Sequence, residues 1–497
     1  MKRKQTFGDQ KNEKKTKANT DLLSSGNEPF YLPDEMITII LSYLPNAQIL
    51  RRCILVSKQW LIVCGNLNLV LNTNSWSSCG PVTLKKRLNS SFANCFTSLH
   101  IEKRTSLKDE ISLIGESKLT RLQYLTIGKS SINNSGLDAF LSTPNVSHLK
   151  YLNLYYNSLK SDSTVNGFKN VPNLETLVLS RNILSKDTIR VIVDNCPKLK
   201  CLKLAETFIE SEGLEIIASS ENMSNLVTLD LAQTHLLSTG ATCLANSPYL
   251  NNLTFLEMYW CGIETSGIKD LCESGKLKNL RTLGLCRNSI GTEGAKYIAN
   301  CEDLSHLTEL NIGFNEIMDE GAKAIFESSH LSKLRSLNIS KNKMGGTSEG
   351  YDAMIQCKWL KNLHTFSIAD NTISYYGSTL FQKCDLSSVE SLDLDNTRIK
   401  TSSAKIITES DTYQNLNDLR ISRNSTLDDD TAQDFANSTT LTKLTYLDIY
   451  RTKISVSGIH LIKKNTNFPA NLEVDLPFAN VETTANKLRI IESIEEE

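Results

Sequence analysis

The side chains of this 497-residue chain that could do chemistry are spaced in ways that no common reaction uses. Gly128-Lys129-Ser130 resembles the close of a phosphate-binding loop, but Gln123 stands where such a loop needs its first Gly to let the backbone approach the phosphate. Asp428-Asp429-Asp430 lacks the alternating ligands, central Gly and closing Glu of a calcium loop, and is expected to be a solvated helix start. His100, His148, His235, His306, His330, His364 and His460 include no pair at helical metal-binding spacing. The 13 Cys are odd in number and scattered singly, with no Cys-x-x-Cys of zinc spacing. They are expected to be reduced, mostly buried small hydrophobes of an intracellular protein. No nucleophile has a base near it in sequence, so no catalytic residue, metal or cofactor is expected, and the chain is expected not to be an enzyme.

What orders the chain instead is a motif, Leu-x-x-Leu-x-Leu-x-x-Asn-x-Ile, returning every 25 to 29 residues. Its second Leu serves as a marker: Leu125, Leu152, Leu177, Leu202, Leu229, Leu256, Leu283, Leu310, Leu337, Phe366, Leu392, Leu419 and Leu447. One such unit cannot bury its own apolar face, so the period predicts a stacked solenoid. The marker and the residue two later, such as Leu229 and Leu231, alternate with polar residues, as in a strand with one buried face. Eleven residues after the marker, Gly136, Gly213, Gly240, Gly267, Gly294, Gly321, Gly377 or Gly458 opens a helical pattern, where Gly allows a positive φ or a close backbone approach. Helices are wider than strands, so the stack must curve with its strands inside. Five residues after the marker stand Asn157, Asn182, Asn288, Asn315, Asn342, Asn371 and Asn424, replaced elsewhere by Thr207, Thr234, Thr397, Thr452, Ser130 and Cys261. Buried there, such side chains can satisfy backbone groups of adjacent turns. Leu427, one place late after Asn424, and the stretch Met344-Gly345-Gly346 to Gly350 are expected to be local bulges.

The strand motif, the Gly at a fixed offset and the helix make residues 96–480 resemble leucine-rich repeat proteins of the ribonuclease-inhibitor type. That resemblance implies an α/β solenoid, a curved horseshoe with parallel strands inside and helices outside.

A different pattern precedes the repeats. From Leu32, Pro33 suits a first helical turn, and Asp34 and Glu35 suit the positive end of a helix dipole. Met36, Ile37, Ile39, Ile40 and Leu44 recur at helical spacing, Pro45 ends the run, and a second helix carries Ile49, Leu50, Leu55, Val56 and Trp60. Some thirty residues cannot bury this many large side chains among themselves, so a covering surface is implied. With Leu32-Pro33, Ile39, Leu44-Pro45, Ile49, Val56 and Trp60 in register, residues 30–64 resemble an F-box, a small all-α module. Gln48 and Ser57 depart from the Asp and Cys that many F-boxes carry at those places. The resemblance implies that these eight residues dock the Skp adaptor of a cullin-based ubiquitin ligase while the repeats hold a target protein. The same two helices could instead cap the first repeat, which leaves open a repeat scaffold or a regulator similar to the leucine-rich-repeat activator of the Ran GTPase.

Composition narrows the partners. The net charge of -1 offers no electrostatic footprint for nucleic acid. No apolar run suits a bilayer or a secretory leader, so no membrane partner is expected and residence should be cytoplasmic or nuclear. Lys2-Arg3-Lys4 and Lys14-Lys15-Thr16-Lys17, in a disordered tail over 1–29, have the form of a bipartite nuclear import signal. Residues 65–95 should link and cap the repeats, and 481–497 should form a C-terminal cap and acidic tail.

On a strand whose marker points inward, the residues one before, one after and three after it face the concave side. With the following position, these offsets pick out three clusters as the target-binding surface. They are Tyr151, Tyr155 and Tyr156; Phe255, Glu257, Tyr259 and Trp260 with Arg287 and Phe314; and Tyr446, Asp448, Tyr450 and Arg451. Exposed aromatics with Arg are the side chains that most often anchor a protein partner. Strands about 4.8 Å apart separate the first and third clusters by roughly 50 Å, a span that suits a protein and not a metabolite. Asp230, Glu257, Asp393, Asp395 and Asp448 add an acidic cast that hints at a basic partner.

Overall fold

The computed structural model describes residues 69–72, 88–89, 93, 96–103 and 111–475. Among them, sixteen strands form one sheet in strict chain order, from Leu69–Asn72 to Glu473–Asp475. Each is parallel to its neighbours, and the markers share a register line: Leu229 pairs with Leu256, Leu256 with Leu283, Leu283 with Leu310, Leu310 with Leu337 and Leu337 with Phe366. Most strands are three residues long, with a buried marker between two partly exposed neighbours. No strand could hold such a short ladder alone; stacking converts each marker from a half-exposed Leu into one with a Leu on either side.

After most of the described strands the chain turns and returns through a helix, such as Gly291–Asn300 or Met318–Glu327. The helices bury small residues and one or two Ile or Leu each against the strands and the next helix. Side chains make a helix about 10 Å across, twice the strand spacing, so a sheet on one side and helices on the other bend toward the sheet. The fixed-offset glycines sit inside these helices without a positive φ. A Cβ on Gly240 would stand 2.6 Å from Leu236 Cβ, and one on Gly294 2.8 Å from Ile290 Cβ. Of the two uses of Gly weighed from sequence, close approach is the one found.

Two side-chain columns run across the stack and replace the hydrogen bonds that short elements leave open. On the strand side, Asn315 Oδ1 accepts from the Asn288 amide at 2.8 Å, and its Nδ2 donates to Leu285 O and Ile312 O at 2.8 and 3.0 Å. Asn288, Asn342, Asn371 and Asn424 repeat this pattern; Thr397 and Cys261 at the same offset donate to Leu394 O and Leu231 O. At the helix ends a Ser or Cys donates to the helix carbonyls of the preceding unit: Ser247 to Ala218 O, Ser438 to Thr408 O, Cys301 to Cys272 O and Cys196 to Phe168 O. Ser and Cys alternate there because either supplies one short donor. All nine described cysteines are free, and burial pushes the Cys196 and Cys384 thiols up to about 12.

The expected bulges have definite causes. Asp319, buried, accepts 2.9 Å hydrogen bonds from the amides of Gly345, Gly346 and Thr347, which closes the lengthened loop onto the preceding helix. Leu427 is fully buried despite its late position, its amide donating to Asn424 O. Asp428 caps the helix Asp429–Asn437. Among the described residues no helix is long and apolar enough to cross a membrane. The two-helix segment expected over 30–64, with Leu32, Pro33, Ile39, Leu44, Pro45, Ile49, Val56 and Trp60, lies outside the described residues, as do the basic clusters and residues 481–497.

Candidate functional site

The concave side is built from four columns, at offsets -1, +1, +3 and +4 from the marker. The last has an unusual backbone. Lys129, Tyr156, Arg181, Glu206, Gln233, Trp260, Arg287, Phe314, Lys341, Asp370, Asn396, Arg423 and Arg451 all have φ between +49° and +60°. This is where the strand ends and the chain turns away. The left-handed conformation points each side chain outward along the rim, and it favours Gly or Asn on steric grounds. Among these residues Asn396 and Asp370 are of the types that this region takes most readily, and the rest are larger.

In the middle of the rim these side chains stack into a ladder of alternating cations and rings. Arg287 Cζ lies 6.0, 5.8 and 4.6 Å from the ring centres of Tyr259, Trp260 and Phe314, and Lys341 Nζ lies 4.8 Å from that of Phe314. Tyr259 and Trp260 meet edge to face at 6.4 Å. Trp260 is 54% exposed. The floor beside this ladder is shallow because Gly284, Cys286 and Gly313 carry little side chain. The Glu257 carboxylate lies across Gly284, where a Cβ would collide with it. Burial raises Glu257 above the ordinary carboxylate range, its hydrogen bond from the Tyr259 amide at 2.8 Å opposes this, and the neighbouring Asp230 adds to it. Burial also raises Asp230, Asp393 and Asp448. The floor therefore holds carboxylates that a cation would stabilise, beside a rim that already carries cations.

Of the sequence-selected residues, Tyr259, Trp260, Arg287 and Phe314 come together, and Phe255 and Glu257 flank them on the strand. Tyr155 and Tyr156 turn apart: the Tyr155 ring covers Gly128 and its hydroxyl reaches Glu102 at 3.3 Å, while exposed Tyr156 stacks with Arg181 at 5.8 Å. Tyr151 pairs with Tyr124 at 6.4 Å. Tyr450 takes Arg451 at 5.3 Å, and Tyr446 donates to Asp475 at 2.7 Å. Sequence reasoning missed Tyr124, Lys129, Arg181 and Lys341, although each stands at an offset already singled out. It also passed over Phe208 and Leu237, more than half exposed on the turn edge, where Phe208 stacks on His235 at 5.3 Å. Lys129, from the incomplete phosphate loop, is a rim residue 5.6 Å from the Tyr155 ring. Among the described residues no three His, Cys, Asp or Glu side chains converge as metal ligands would.

Comparison with known proteins agrees with both halves of the chain. A family model described as F-box-like matches residues 30–69, and a leucine-rich-repeat model matches residues 303–326 and 330–348. No curated protein matches the chain. Among solved structures, an internalin (inlF) from Listeria monocytogenes aligns at 19% identity over 76% of this chain and 93% of its own, with a TM-score of 0.47. A TLR13–ssRNA13 complex aligns at 18% identity over 75% of this chain and 51% of the other, with a TM-score of 0.39; the chain thus spans about half of that protein. At these scores neither likeness carries function over.

Proposed function

We propose, from a chain that joins an F-box-like segment to a leucine-rich-repeat sheet, that this protein is the substrate-recognition subunit of a Skp–cullin–F-box ubiquitin ligase. One observation supports this most directly: the F-box-like match ends at residue 69, where the first strand of the repeats begins. The F-box-like segment and the sheet that carries the proposed recognition surface thus follow one another in the chain. Leu32, Pro33, Ile39, Leu44, Pro45, Ile49, Val56 and Trp60 would contact the Skp adaptor. The rim from Trp260 to Lys341, with Tyr151, Tyr155, Tyr156 and Tyr450 farther along the same face, would hold the target.

The work of such a subunit is proximity. A target held on a stiff sheet keeps its lysines at high effective concentration near a ubiquitin-charged enzyme brought by the cullin, without any reacting group on this chain. Aromatics beside Arg287, which a bound target would desolvate, would supply the anchoring energy, on the order of 2 kcal/mol for each hot-spot residue.

The test is direct. Purified full-length chain mixed with Skp adaptor should co-elute as one complex at about micromolar concentration, and Ile39→Asp with Ile49→Asp should abolish it while thermal unfolding of the repeats stays unchanged. A folded chain that forms no complex with the adaptor sinks the ligase reading.

A further inference from the structure

The helical layer carries two thiols that face each other. Cys272 lies in the last turn of the helix Glu264–Glu273, and Cys301 directly follows the helix Gly291–Asn300 of the next unit. The Cys301 thiol donates to Cys272 O at 3.5 Å, and a hydrogen bond between the two side chains is the largest influence on the ionisation of each. Cys301 is buried, whereas Cys272 is partly open to solvent. Asp303, two residues beyond Cys301, has a buried carboxylate oxygen that accepts no hydrogen bond. Hydrogen bonding from Cys272 pulls the Cys301 thiol below its ordinary value; burial opposes this, and the amides of Leu304 and Asp303 assist it. The same hydrogen bond, then burial, then the charges of Cys301, Asp303 and Glu273 push Cys272 up.

The other described cysteines show what this arrangement adds. Cys196 ends the helix Lys186–Asn195 as Cys301 ends its own, but burial alone acts on it and pushes it up to about 12. Cys357 and Cys384 are likewise pushed up by burial, to about 11 and about 12. Of the nine described cysteines, Cys301 alone is drawn toward the thiolate. The pair also spans two units that meet on the concave side: Cys272 belongs to the unit of Trp260, and Cys301 to that of Arg287.

We infer that Cys272 and Cys301 form a reversible disulfide when hydrogen peroxide reaches the partly exposed Cys272, a modification site that stitches these two units together. The Cys272 sulfur attacks one peroxide oxygen while its proton passes to the Cys301 thiolate. The O–O bond breaks, which leaves a sulfenic acid on Cys272 and releases hydroxide. The Cys301 sulfur then attacks the Cys272 sulfur, its proton leaves with the sulfenic hydroxyl as water, and the S–S bond closes. Each Cys gives up one electron, and the peroxide takes both; the hydroxide becomes the second water with the proton that Cys301 had lost to solvent. Exposure makes Cys272 the thiol that meets the oxidant, and burial makes Cys301 the one that resolves it.

The experiment exposes full-length chain to hydrogen peroxide near neutral pH, blocks the remaining thiols by alkylation, and maps disulfides by mass spectrometry of unreduced digests. A Cys272–Cys301 crosslink should accumulate before any other described cysteine is oxidised, and dithiothreitol should reverse it. The crosslink should also raise the thermal unfolding midpoint by several degrees, because it constrains the unfolded chain. Cys301→Ser keeps a donor for Cys272 O, as Ser247 and Ser438 donate to Ala218 O and Thr408 O, so this variant should fold. Treated with hydrogen peroxide and dimedone, it should carry a trapped sulfenic acid on Cys272. Asp303→Asn should speed the crosslink several-fold, since the Asp303 charge disfavours a thiolate at either sulfur. If peroxide leaves Cys272 and Cys301 as open to alkylation as in untreated chain, or drives Cys272 to the sulfinic acid without a crosslink, the inference is overturned. None of these readouts involves the Skp adaptor or a target, so failure here is separate from failure of the ligase reading.

Discussion

Two columns of this protein are neighbours in sequence and opposites in what they demand. At offset five, Asn288, Asn315, Asn342, Asn371 and Asn424 are buried, and each amide is consumed by backbone groups of its own and adjacent turns. At offset four, Arg287, Phe314, Lys341 and Arg423 lean outward from a backbone that would accept Gly or Asn more easily. The first column tolerates only Asn, Thr, Ser or Cys because each loss strands buried polar groups. The second holds Trp, Phe, Tyr, Arg, Lys, Glu, Gln, Asp and Asn. Where the fold constrains the backbone but leaves the side chain free, the residue types vary widely along the column.

That contrast is easiest to break with Asn315→Ala. It strands the Asn288 amide and the Leu285 and Ile312 carbonyls together, and should cost about 3 kcal/mol or more in urea unfolding. A loss under about 1 kcal/mol would mean water replaces the side chain and the column is not a structural spine. Next in size, Tyr259→Ala with Trp260→Ala should weaken the true target roughly 30-fold, about 2 kcal/mol, while the unfolding midpoint hardly moves. Collapse of stability along with binding would return those rings to the core. The smallest effect sharpens the contrast from the other direction: Trp260→Gly should leave stability unchanged or raise it by about 1 kcal/mol, since relief at a φ of +51° roughly offsets the chain entropy of Gly. A clear destabilisation in thermal unfolding would show that the indole packs as structure.

Much of this was legible from residues alone. Thirteen markers in phase required a parallel sheet in chain order, because an apolar period of about 27 admits no other way to bury every Leu. The same periodicity identified which offsets face outward, and hence Trp260, Arg287 and Phe314. It failed to distinguish Tyr155, folded down over Gly128, from Tyr156, turned out toward Arg181, because both lie at outward offsets and only the left-handed φ at Tyr156 separates them. Asp319 carries no signal in its own segment, since its three partners are amides 26 to 28 residues later.

By itself, then, the sequence determined the repeat, its register, the buried spine and the F-box-like segment ahead of them, since each is written in local residue type and spacing. Tertiary structure decided which cations meet which rings along the rim, and that the Cys272 and Cys301 thiols, 29 residues apart, face each other. Stacking brings residues about 27 apart within a few ångströms, so the chemistry of a solenoid face belongs to neighbours that no single unit contains.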